Sequence, residues 1–62
     1  MNEFVWKSRF IEAAYRSMMR QGVDLFDALS VAKRLAEQEY PVHGDTVPEK
    51  EAAVICMTMI AV

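Results

Sequence analysis

A single cysteine, Cys56, and a single histidine, His43, stand in a chain of 62 residues. That scarcity constrains the fold more than any other feature. A domain of this size buries only about 60% of the surface its unfolded chain exposes. Small domains make up the deficit with disulfides, a metal or a partner subunit. One cysteine closes no disulfide within the chain, and a structural zinc site takes about four Cys or His ligands. Association is the remedy left. Hydrophobic residues make up 53% of the chain, a high share for so small an interior. Part of that surface is therefore expected to be covered by a second copy or by another protein.

Caps and periodicity predict an all-α chain with one domain over residues 1–62: a helical hairpin plus an apolar C-terminal helix. The first helix runs from about residue 2 to 21. Asn2 is a good N-cap, Glu3 suits the first turn, and Gly22 supplies a left-handed stop behind Arg20. Phe4, Ile11, Ala14, Tyr15 and Met18 recur at helical period, flanked by a row of Trp6, Phe10 and Ala13. Arg9, Glu12, Arg16 and Arg20 fall opposite, with Glu12 and Arg16 spaced as an i,i+4 pair.

The second helix is predicted over about 24–40. Asp24 caps it, Asp27 gives a partial capping box, and Val23 can staple onto Ala28. Leu25, Ala28, Leu29, Ala32, Leu35, Ala36 and Tyr40 form one buried stripe, in which the alanines let the first helix approach closely. The short link at Gln21–Val23 implies an antiparallel hairpin. Pro41 is expected to end the helix at Tyr40, because the residue before a proline avoids helical angles.

A third helix is expected over about 47–60, behind a Pro/Gly turn and a capping box formed by Thr46 and Glu49. A strand over 54–62 is the competing assignment, given its β-branched residues. The run from Ala52 is interrupted only by Thr58, and a helix apolar all round expects burial on every side. One hairpin cannot surround it. A homodimer centred on this helix is the expected solution, with Val54, Ile55, Met57 and Ile60 in the shared core.

Chemistry is sparse. His43 is expected in an exposed turn with only Asp45 near it in sequence, and Cys56 in an apolar helix as an inert core thiol with no base nearby. Glu37 and Glu39 lie two apart, as do Glu49 and Glu51, so neither pair converges on one helix face. The two glycines, Gly22 and Gly44, make no phosphate loop. No enzyme, metal or cofactor is expected.

Net charge is −2, spread unevenly. Residues 1–22 carry four bases against two acids, whereas residues 23–62 carry three bases against seven acids. A nucleic acid is not the expected partner, although the hairpin around Gly22 has the outline of a helix-turn-helix. The second helix would lead with Asp24 and Asp27, which DNA phosphates would repel. The 11-residue apolar run is too short for the ~20 residues of a membrane span. No secretory signal is read at the N-terminus, and with one free thiol the cytoplasm is the expected compartment.

The expected function is that of a small, non-catalytic regulator or inhibitor that occupies a surface on a larger protein. Small phage proteins directed against host machinery offer an analogy of size. Phe26, which points away from the second helix's stripe as Val31 and Val5 do, is the first candidate contact, followed by Arg9, Arg16 and Arg20. The alternative is a small DNA-binding regulator that uses those arginines.

Overall fold

A computed structural model describes residues 1–60, the side chain of Ile60 excepted. Helix α1 spans Glu3–Arg20, α2 spans Leu25–His43 and α3 spans Pro48–Ile60. No strand occurs among the described residues. The chain is all-helical, and α3 is helical where a strand was the competing assignment, as far as residue 60.

Both hairpin caps form as the sequence implies. Asn2 Oδ1 accepts the Val5 N–H at 2.8 Å. Asp24 Oδ1 accepts from Phe26 at 2.6 Å and Asp27 at 3.3 Å. Gly22 has φ +95°. Its N–H donates to the Met19 carbonyl at 3.0 Å, and that of Val23 donates to Met18 at 3.1 Å. These two bonds close α1 in a Schellman motif. Nothing lies within 4 Å of where a Cβ on Gly22 would point, so only the backbone angle opposes a side chain there. Gly22→Ala should cost about 1–2 kcal/mol and lower the melting temperature by several degrees. A thermal melt superimposable on that of the parent chain would contradict this role.

The core is a set of four-residue steps. Trp6, Phe10, Ala14 and Met18 of α1 face Ala28, Ala32 and Ala36 of α2, with Ala52 and Cys56 of α3 completing the cluster. Helix α1 packs extensively on both neighbours, which meet each other only sparsely. Lys7 near the start of α1 reaches Glu37 near the end of α2 at 2.9 Å, so the hairpin is antiparallel. Arg9 meets Glu49 and Cys56 lies 3.8 Å from the Ala14 carbonyl, so α3 runs parallel to α1.

Trp6 ties the elements together. Its ring stacks on Phe10 at 5.2 Å and meets the edge of Tyr40 at 5.6 Å. Its indole N–H donates to the Thr46 carbonyl in the α2–α3 link at 3.0 Å.

Several expectations need correction. Phe4 is 79% exposed, and the Trp6–Phe10 row is innermost instead. The apolar arc of α1 is wider than one contact line, and the row between its two neighbours is the one sealed. Leu25 is exposed in the first turn of α2, while Val31 is half-buried against the core and does not point away from it.

Helix α2 does not stop at Tyr40 but passes through Pro41 to His43. Only the last turn remains there, so the missing N–H forfeits a single bond, and Glu37 is exposed where water can serve its carbonyl. The extension holds Tyr40 against Trp6 and beneath the Lys7 ammonium, 5.5 Å above the ring. Gly44 then packs so tightly on Tyr40 that an added Cβ would lie 2.7 Å from its ring and carbonyl.

The capping box at α3 does not form. The Thr46 hydroxyl donates back to the His43 carbonyl at 2.6 Å. The Val47 carbonyl accepts from Lys50 and Glu51, and Glu49 turns instead to Arg9.

Candidate functional site

Arg9, Arg16 and Arg20 step along α1 at intervals of seven and four residues, which places them on one side of the helix. That side borders α3, not open solvent alone. The three arginines line a cleft of about 480 Å³ together with Ser8, Glu12, Ala13, Ser17, Glu49 and Ala53. Its neutral residues are small because α1 and α3 meet here through serine and alanine. Three of the four sequence-derived contact candidates therefore share one site. Sequence spacing does not single out Ser8, Ser17 or Ala53, since only the parallel docking of α3 brings them to the arginine row.

The arginines differ in how far they are engaged. Arg9 is held in a two-pronged pair, with Nε and Nη2 each 2.7 Å from a Glu49 oxygen. These bonds stabilise both charged forms, holding the Arg9 guanidinium above its ordinary value and the Glu49 carboxyl below the usual 4.5. Arg16 makes one 3.4 Å contact with Glu12, the i,i+4 pair expected from sequence. Among the described residues no acidic side chain pairs with Arg20.

The depressed Glu49 value fixes the sign of a pH effect. Stability from the pair is fully present above pH 4.5 and is lost as pH falls through Glu49's lower folded value. Arg9→Gln should therefore lower the melting temperature at neutral pH, with the difference from the parent closing in acid. A difference that persists after Glu49 is protonated would contradict the pairing. Both side chains are nearly half exposed, so the effect should be small.

Phe26 lies outside the cleft, 82% exposed in the first turn of α2. On α3, Val54 and Met57 are exposed at 60% and 70%, while Ile55 is half-buried and packs against the chain's own core. The side chain of Ile60, the fourth expected self-association residue, lies outside the described part. Pro48, Ala52 and Cys56 form the covered side of α3. The helix thus docks by one stripe, and its outer side carries Lys50 in the first turn and no charge from Ala52 to Ile60.

His43 is not in an exposed turn. It ends α2, half-buried, with Nε2 3.5 Å from Glu39 and Nδ1 3.8 Å from Glu51 of α3. Asp45, the neighbour expected from sequence, is not among these contacts. Glu37 likewise finds its partner across the hairpin in Lys7, which also holds Glu3 at 2.6 Å. The two carboxylates keep the Lys7 ammonium charged above its ordinary range. Cys56 is buried, with only a weak contact to the Ala14 carbonyl.

No group of three or more His, Cys, Asp or Glu side chains among the described residues is arranged to hold a metal. No described helix is long and apolar enough to cross a membrane. Comparison with protein-family models, curated proteins and solved structures gives no match for the chain.

Proposed function

We propose that this chain is a non-catalytic interaction protein, a small cytoplasmic regulator or inhibitor that acts by occupying a surface on a larger protein. The observation that carries this reading is the outer side of α3. Val54 and Met57 stand exposed on a stretch, residues 52–60, without a single charged residue. Isolated exposed apolar residues mean little, whereas neighbouring ones on one helix face favour a contact surface. A second copy is the first occupant of that surface. Homodimerisation through α3 would cover Val54 and Met57 and leave Phe26 and the arginine cleft to the larger partner.

The test compares the parent chain with a Val54→Asp, Met57→Asp double variant and with Phe26→Ala. All three positions point outward, so circular dichroism should show the fold retained. Affinity capture should recover the same partner with the parent and lose it with Phe26→Ala, while the α3 variant loses self-association. Equal behaviour of all three chains would sink the reading.

A further inference from the structure

We propose that the α1–α3 cleft receives an acidic amphipathic helix of the partner, its carboxylates paired with Arg16 and Arg20 and its apolar stripe laid against Ala13 and Ala53. The proposal rests on the interaction-protein reading above and names the chemistry of the occupant.

Shape comes first. Two parallel helices with Ser8, Ala13, Ser17 and Ala53 between them leave a trough without bulky side chains on its floor. A third helix can approach such a trough closely, in the helix-in-groove mode of recognition. Ala13 on α1 and Ala53 on α3 give the trough an apolar methyl from each helix.

Charge then selects the occupant. Glu49 uses both prongs of the Arg9 guanidinium, which leaves that end of the cleft neutralised. Arg16 spends one long contact on Glu12 and remains largely exposed, and Arg20 meets no acidic side chain among the described residues. The surplus positive charge therefore lies toward the C-terminal half of α1. Arg16 and Arg20 are an i,i+4 pair, so their spacing matches two carboxylates one turn apart on another helix. A nucleic acid fits less well. Glu12 and Glu49 line the same cleft and would face its phosphates, and Ala13 and Ala53 offer a phosphate nothing to bind.

The test titrates a capped peptide of about five helical turns, with leucines along one stripe and glutamates at i,i+4 beside it, into the full ¹⁵N-labelled chain. Amide shifts should cluster on Ser8, Ala13, Ser17 and Ala53. The Arg16→Glu, Arg20→Glu double variant should weaken binding about tenfold or more, and a lysine version of the peptide should prefer that variant to the parent. Shifts confined to the surface around Phe26 would overturn the cleft assignment while leaving the interaction reading in place. Absence of shifts at millimolar peptide would overturn the cleft assignment too, with the interaction reading tested separately by the capture experiment. A short DNA duplex that fills the cleft more tightly than the peptide, with a steep loss of affinity as salt rises, would replace the proposal with a nucleic-acid site.

Discussion

Trp6→Ala is expected to unfold the chain at room temperature. The indole is fully buried and touches three parts of the molecule: Phe10 in its own helix, Tyr40 at the end of α2, and the Thr46 carbonyl in the link to α3. Truncating a buried tryptophan costs about 3–5 kcal/mol through lost transfer energy and the cavity left behind. Leaving the Thr46 carbonyl without its donor adds up to about 1–3 kcal/mol if water cannot reach it. At about 0.05–0.15 kcal/mol per residue, the whole domain has roughly 3–9 kcal/mol of stability. The loss is therefore comparable to the total. Far-ultraviolet circular dichroism should show little cooperative melting in the variant. Trp6→Phe, which keeps an aromatic ring but removes the N–H, should fold with a lowered melting temperature. A cooperative melt for Trp6→Ala within a few degrees of the parent would show that Trp6 does not join the elements as described.

Ala32→Leu is the second large effect, and it acts in the opposite sense, by adding volume. Ala28, Ala32 and Ala36 are all completely buried, and Ala32 is the middle one. Their small side chains set how closely α2 lies on the Trp6–Phe10–Ala14–Met18 row. A leucine at the centre has no space to enter without moving a helix or forcing neighbouring rotamers. Overpacking of this kind costs about 1–3 kcal/mol, which is a large fraction of the stability of so small a domain. Ser30→Ala, on the exposed side of the same helix, provides the control and should melt close to the parent. Chemical denaturation should show the leucine variant with a lower midpoint. An unchanged midpoint would mean that α2 is not seated on its alanine stripe.

The parts of the fold legible in the sequence are those set by local chemistry. Asn2, Gly22 and Asp24 each act within a few residues of themselves, so their caps could be read from residue type and spacing. The alanine stripe was legible because three small residues at intervals of four leave only one arrangement for a close neighbour.

Where two local rules competed, tertiary contacts decided. Pro41 is a helix breaker by itself, yet packing of Tyr40 on Trp6 favours the continued helix. Glu49 fits a capping box, but a guanidinium from 40 residues away gives it a stronger partner. The periodicity of α1 permitted either the Phe4 or the Trp6 row inside, and only the docking of two helices on α1 selects the latter.

The site was legible in part for the same reason. Arg9, Arg16 and Arg20 share a helix side by simple periodicity. That α3 would form the other wall of their cleft, and that Glu49 would neutralise Arg9 but leave Arg20 without such a partner among the described residues, depends on contacts far apart in the chain.

Most of the apolar outer side of α3 follows from one geometric fact. Pro48, Ala52 and Cys56 are covered on the inner side of α3, while Val54 and Met57 are left uncovered. On the proposed account, a second copy covers them. The most direct measurement is the solution molar mass, by light scattering behind size-exclusion chromatography, over a range of concentrations. The account predicts a species of about twice 7.1 kDa for the parent, reduced to the monomer mass, with helicity retained, for the Val54→Asp, Met57→Asp variant. A folded monomer for the parent at every concentration would contradict it.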